Sequence, residues 1–130
     1  MFTDVELAYL ASQRLGRIAT QKPDGTLQNS PVGFRYHPST RTVDVTGHEL
    51  ERSRKFRNVA DNGRVALVVD DLASTSPWRP RCVEIRGHAE AVPGDGTHPP
   101  VIRIHPERII SFGLTDTAAR SSAADARDVG

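Results

Sequence analysis

The densest chemistry-bearing stretch of this sequence is Glu51-Arg52-Ser53-Arg54-Lys55-Phe56-Arg57-Asn58. On a helix at about 100° per residue, Glu51, Arg54, Lys55 and Asn58 share one face, with Leu50, Phe56 and Ala60 toward the other. Lys and Arg supply charge-assisted donors and Asn a neutral one, a set suited to clasping a phosphate or a carboxylate. The same residues could equally form a solvated helix face, with Glu51 and Lys55 as an i,i+4 pair.

A second cluster, Gln28-Asn29-Ser30-Pro31-Val32, places small polar side chains and a donor-less proline inside an otherwise apolar strand. Backbone and amide groups left free there could hydrogen-bond a planar heterocycle; alternatively the segment is an edge strand facing water. A third, Pro77-Trp78-Arg79-Pro80-Arg81, holds the one Trp of the chain beside two guanidinium groups. It could stack on a ring or anchor a partner subunit, or it could be a surface Trp lying on its own barrel.

Other chemistry is poorly supported. Histidines 37, 48, 88, 98 and 105 show no metal-ligand spacing. Cys82 lacks an identifiable base and reads as a small core or rim residue. No nucleophile elbow, P-loop or dinucleotide-binding glycine motif occurs.

These clusters must be positioned by surrounding elements. Thr3 and Glu6 have capping-box spacing, predicting a helix from Asp4 to Gln13 that carries Val5, Ala8 and Leu10. Gly16 to Thr20 and Leu27 to Tyr36 form a predicted hairpin around Pro23-Asp24-Gly25, with an edge or bulge at Pro31. Thr42 to Thr46 is a third strand, and Glu49 to Ala60 a second helix ended by Asn62-Gly63. The run Arg64 to Val69 is apolar on both faces, which predicts a central, covered strand. Arg81 to Ala91 alternates strictly and reads as half-buried. Asp71 to Pro80 and Val92 to Pro100 read as loops, with short strands at Val101 to His105 and Ile109 to Phe112. From Thr115 onward there is almost nothing to bury, so residues 115–130 are expected to be a disordered tail behind a domain spanning residues 1–114. The fold class that follows is mainly β: a barrel of six to seven antiparallel strands with two short helices.

Composition bounds the function. With 130 residues, 17 Lys+Arg against 16 Asp+Glu and a formal net charge of +1, the chain suits one domain and argues against bulk-charge nucleic-acid binding. One cysteine allows no internal disulfide, and no run approaches a membrane span, so a cytoplasmic protein is expected.

The order of motifs is informative: helix, Gly-Arg-Ile-Ala-Thr strand, Pro-Asp-Gly turn, Gln-x-Ser-Pro-Val-Gly-Phe strand, Thr-Gly end, Ser-Arg-Lys-Phe-Arg-Asn helix, then Val-Ala-Leu-Val-Val-Asp-Asp. From about Val5 to Gly113, with Phe112-Gly113 closing the last strand, the sequence resembles the pyridoxamine 5'-phosphate oxidase-like flavin and deazaflavin proteins, in particular the branch that uses coenzyme F-420. The resemblance implies a split β-barrel of the FMN-binding type that forms a homodimer with cofactor sites between subunits. It implies that Lys55 and Asn58, helped by Arg57, hold the cofactor phosphate. Gln28, Ser30, Pro31 and Val32 would lie beside the ring system, and Thr46 and Gly47 would meet the cofactor chain. Trp78 and Arg79 would approach the neighbouring subunit's site. Ser53 with Lys55 matches the phosphate pair of FMN members, so F-420 and FMN both remain open as cofactor. Arg52, Arg54 and Arg57 could also meet the acidic tail of F-420. Family members often carry an extra helix where only Val92 to Pro100 stands here, implying a smaller wall for the substrate pocket. Residues expected for a pyridoxamine phosphate substrate are missing. The activity implied is hydride transfer between F-420 and a small conjugated acceptor; an FMN oxidoreductase or a non-catalytic carrier are the alternatives.

Overall fold

In a computed structural model that describes residues 1–115 and 124–130, the chain forms helices α1 (Asp4–Ser12) and α2 (Arg54–Asn62). Its strands are β1 (Leu15–Gln21), β2 (Leu27–His37), β3 (Thr42–Thr46), β4 (Arg64–Thr75), β5 (Trp78–Val92), β6 (Val101–Phe112) and β7 (Asp125–Asp128). The strands run β3-β2-β1-β4-β5-β6-β7, and β3 also pairs with β6, which closes the first six into an antiparallel barrel. The expected mainly β barrel with two helices is what forms.

Alternation along the strands fills the barrel with branched aliphatics. Ile18, Val43, Val45, Leu67, Val69, Val83, Ile85, Ile102, Ile104 and Ile109 are all fully buried. Closure is partial, because β3 covers only Gly33–His37 of β2, leaving the outer edge of residues 27–32 without a strand partner. Pro31 lies in this uncovered stretch, where its missing N–H costs no ladder bond. No helix of the described residues is long and apolar enough to cross a membrane.

The structure corrects several sequence expectations. The predicted helix over Glu49 to Ala60 is broken: Glu49 adopts a left-handed φ of 50°, Leu50–Arg52 forms one 3-10 turn, and Ser53 is extended before α2 begins. Ser53 caps α2 by accepting from the Phe56 N–H, which is why the helix restarts there. The break separates Glu51 from Lys55; Glu51 instead accepts from the Gly94 N–H at 3.2 Å. Ala60, expected on the buried side, is exposed, and Asn58 and Val59 are buried.

In α1, Val5 and Ala8 are exposed while Glu6, Tyr9 and Leu10 face inward. On β4, Val65, Leu67 and Val69 are buried but Ala66 and Val68 are only half-buried, so the strand is central without being fully covered on both faces. The expected loop Asp71 to Pro80 is a two-stranded arm. β4 leaves β1 after Val68 and β5 joins β6 only from Cys82, so beyond these points the two strands pair with each other alone. An isolated ribbon tolerates Pro80 because its outer edge needs no donor. The two short strands expected around Pro106 are one strand, β6, with a register shift opposite Arg86 and Gly87. Finally, part of the expected disordered tail is ordered: Asp125–Asp128 adds to β6 as β7, while residues 116–123 lie outside the described residues.

Candidate functional site

The uncovered half of β2 meets α2 through a polar contact. Along β2, Gln28, Ser30 and Val32 turn toward the protein while Leu27, Asn29 and Pro31 are exposed. Asn58 is completely buried, and its Nδ2 donates to Thr20 Oγ1 at 3.1 Å and to Gln28 Oε1 at 3.2 Å. One turn later, Asn62 Nδ2 donates to the Gln21 carbonyl at 2.7 Å. The helix is therefore stitched to the end of β1 at two points, which fixes its first turn beside the open edge of β2.

That first turn is strongly cationic. Arg54 and Arg57 are exposed and Lys55 is half-buried, and none of the three side chains has an acidic partner among the described residues. They stand at the positive end of a nine-residue helix, where an anion is favoured by both the dipole and the first-turn N–H groups. Arg52 is partly neutralised by Glu49 at 3.7 Å. Ser53 is differently employed: its hydroxyl donates to the Leu50 carbonyl at 2.6 Å and accepts from the Phe56 N–H, so its proton is committed to the cap.

Thr46 is exposed at the end of β3 and lines a depression of about 670 Å³ together with Phe34, Arg35, Asp44, His98 and Arg103. Gly47 lines a neighbouring one of about 520 Å³ against Arg52 and Pro100. The Pro93–Pro100 connection supplies one side of the larger depression, the side expected to form a reduced wall. Gln28, Ser30, Lys55 and Asn58 line neither depression. The half-buried Gln28, Ser30 and Lys55 form the α2–β2 shelf around the buried Asn58, while Thr46 and Gly47 border the two depressions.

Trp78 and Arg79 lie at the tip of the β4–β5 arm, with Trp78 68% exposed. Neither side chain contacts the α2–β2 shelf by a hydrogen bond or ion pair. The arm's base is cross-braced: Arg81 and Asp71 pair across it, Tyr9 Oη donates to Asp71 at 2.9 Å, and the Arg81 guanidinium sits 5.2 Å from the Tyr9 ring centre. The Arg81 guanidinium hydrogen-bonded to Asp71 holds that carboxyl below its usual range. Burial pushes the Cys82 thiol up to about 11, which removes it as a nucleophile near neutrality. Among the described residues no group of three or more side chains is placed to ligate a metal.

Sequence reasoning missed Thr20, whose buried hydroxyl is one of the two acceptors for Asn58; its signal was a hydroxyl at an inward strand position. It also missed the pairing of Glu6 with Arg127, which nothing in local pattern could reveal.

The fit of a flavin-like group can be judged from these contacts. An unneutralised cationic helix start suits its phosphate, and the edge of β2, where Gln28 Nε2 has no partner among the described residues, suits a ring with hydrogen-bonding carbonyls.

Comparison with known proteins identifies the family. Residues 2–112 match the family model described as pyridoxamine 5'-phosphate oxidase. Over 134 aligned residues, covering 98% of this chain and 93% of the relative, the sequence is 42% identical to the 5a,11a-dehydrotetracycline/5a,11a-dehydrooxytetracycline reductase of Streptomyces rimosus. Among solved structures, an F-420 reductase is similar at a TM-score of 0.54 and 26% identity, covering 72% of this chain and 86% of that one. The FAD binding protein of Mycobacterium smegmatis shares the fold at a TM-score of 0.63 and 23% identity, covering 85% and 93%.

Proposed function

The chain belongs to the pyridoxamine 5'-phosphate oxidase family, and from that premise we propose that it is an F-420-dependent reductase passing a hydride to a conjugated, fused-ring acceptor of the dehydrotetracycline type. The observation that carries this reading is the cationic first turn of α2, free of acidic partners and set beside the open edge of β2. The substrate class rests on the similarity to the Streptomyces rimosus reductase.

In this reading Lys55, Arg54 and Arg57 hold the phosphate and the acidic tail beyond it, and Ser53 serves by capping the helix that presents them. Gln28 and Ser30, with the uncovered backbone edge at Pro31 and Val32, border the ring. Thr46 and Gly47 border the cofactor chain. A deazaflavin bound there supplies the hydride, and the protein's share of the work is to bind, orient and shield. One chain leaves the shelf open to water, so a second copy must complete it. The arm bearing Trp78 and Arg79 is the element that reaches outward to do so, giving a homodimer with two shared sites.

Fluorescence titration of the purified chain with F-420 tests the cofactor, and oxidation of reduced F-420 on adding a dehydrotetracycline tests the acceptor. Quenching with submicromolar to micromolar affinity and acceptor-dependent oxidation are expected. A protein that purifies with flavin absorbance and ignores F-420 would replace the deazaflavin by FMN. Tight F-420 binding without turnover across conjugated acceptors would leave a carrier.

A further inference from the structure

The amide of Asn58 is spent inside the protein. Both hydrogens of Nδ2 are engaged, one on Thr20 Oγ1 at 3.1 Å and one on Gln28 Oε1 at 3.2 Å, while Oδ1 is buried with no partner. The opposite polarity can be weighed directly. With Asn58 and Gln28 both flipped, Thr20 and Gln28 would donate to Oδ1, and Gln28 would turn its Oε1 outward. The structure holds the first polarity, in which Nδ2 has an acceptor on each of Thr20 and Gln28.

Gln28 inherits that polarity. Its Oε1 is held by Asn58, so Nε2 is the end left over, and it has no partner among the described residues although Gln28 is only half-buried. An unbraced glutamine at a surface could present either end. We propose that Thr20 and Asn58 are positioning residues that lock the Gln28 amide with its N–H groups outward, so that the β2 shelf reads a hydrogen-bond acceptor, a ring carbonyl oxygen, on the bound heterocycle. This rests on the reading that the shelf holds the cofactor ring, and it assigns Asn58 a role through Gln28 in place of direct contact with the phosphate, from which its burial separates it. A heterocycle offering a donor at that point is rejected, because Gln28 cannot turn over without unpairing Asn58.

Three variants of the full chain, titrated with F-420 and with FMN, test the relay. Gln28→Glu keeps an acceptor for Asn58 but removes the outward donor; the dissociation constant is expected to rise about tenfold or more at neutral pH and to recover as acidification protonates the carboxyl. Wild type should show no such recovery. Thr20→Val and Asn58→Leu release Gln28 and should weaken binding several-fold, and Asn58→Leu, which removes the orphaned carbonyl, should not unfold the chain. Side-chain amide NMR gives a separate readout. Without ligand the Asn58 Nδ2 hydrogens should be protected from exchange and those of Gln28 Nε2 should not; on adding ligand the Gln28 resonances should move and the Asn58 ones stay. Wild-type affinity in Gln28→Glu at every pH, or ligand-induced shifts at Asn58 and none at Gln28, would overturn the relay. Failure of wild type to bind either cofactor would overturn the cofactor reading and the ligand half of this one, whereas unprotected Asn58 hydrogens in the free protein would overturn the bracing alone.

Discussion

Arg127, from β7, donates to both carboxylate oxygens of Glu6 in α1, a side chain only 1% exposed. Ser111 Oγ at 2.6 Å and the Thr3 N–H at 2.9 Å complete the shell around that carboxylate. The last strand is thereby tied to the first helix, and a four-residue edge strand gains a reason to be ordered.

Removing that tie should destabilise the protein in a pH-dependent way. Burial raises the Glu6 pKa, but hydrogen bonds from Arg127, Ser111 and Thr3 outweigh it and leave it below 4.5. A carboxyl depressed in the folded state contributes stability above its unfolded pKa and loses it as pH falls through the folded value. In Arg127→Ala the carboxyl stays buried and loses its largest lowering partner, so its pKa rises and the deficit relative to wild type, about 3 kcal/mol at neutral pH, should narrow as pH falls. Thermal melts of both proteins at several pH values measure this; a gap independent of pH would contradict it.

Two glycines are placed by contact. A Cβ on Gly87 would lie 2.1 Å from the His105 carbonyl oxygen at the β5–β6 register shift, and one on Gly113, at φ +73°, would lie 2.1 Å from the Pro80 carbonyl oxygen. Both obstacles are backbone, which cannot yield as a flexible side chain does. Gly87→Ala and Gly113→Ala should each lower stability by about 2 kcal/mol or more, read from the urea midpoint, whereas Gly96→Ala, with open space but φ +83°, should cost less.

How much of this was legible in sequence depends on whether the cause was local. The Thr3–Glu6 capping box, the Pro-Asp-Gly hairpin and the alternation of Arg81 to Ala91 are determined by neighbours in the chain, and each forms. The β4–β5 arm was missed because its Ser and Pro content is loop-like, and only the long pairing of Asp71 with Arg81 through Thr75 with Trp78 makes it a ribbon. Ser53 was visible as a candidate phosphate residue, yet the left-handed Glu49 that turns it into a cap was not. Asn58 stood out by type and spacing, while its burial depends on Thr20 and Gln28, about 30 to 38 residues away. β7 depends on a buried carboxylate more than a hundred residues distant.

The half-buried Arg103 pairs with the buried Asp44, its Nε and Nη2 donating to the two carboxylate oxygens at 3.0 and 3.1 Å, with Asp44 only 6% exposed. The pair joins β3 to β6, where the barrel closes. Arg103→Ala leaves a buried carboxylate uncompensated and should cost about 3 kcal/mol, more than Arg17→Ala, whose partner Asp70 is half exposed. Equal losses in the two variants would show that closure does not depend on this pair.

Lys55, Arg54 and Arg57 should act on the cofactor and not on the fold. None has an acidic partner among the described residues, so Lys55→Ala should leave the melting temperature within about 2 °C of wild type while weakening F-420 binding roughly tenfold or more. Their contributions are electrostatic, so binding should weaken as salt rises, and the slope should flatten when Arg54 and Arg57 are both changed to Gln. A salt-independent affinity would place the anionic end of the cofactor elsewhere.

The arm makes the dimer testable. Leu72 and Trp78 are 41% and 68% exposed on a ribbon whose base is held by Tyr9, Asp71 and Arg81. A cross-braced arm that presents two exposed apolar side chains costs little further ordering on docking, which favours a partner surface. Trp78→Ser together with Leu72→Ser should shift the particle from dimer to monomer by light scattering. On the proposed dimer it should also raise the F-420 dissociation constant, because each shelf would lose the wall its neighbour supplies. Dimer dissociation without loss of affinity would mean that one chain holds the cofactor unaided, and an unchanged dimer would move the interface to the half-buried outer face of β1 and β4 around Ala19, Ala66 and Val68.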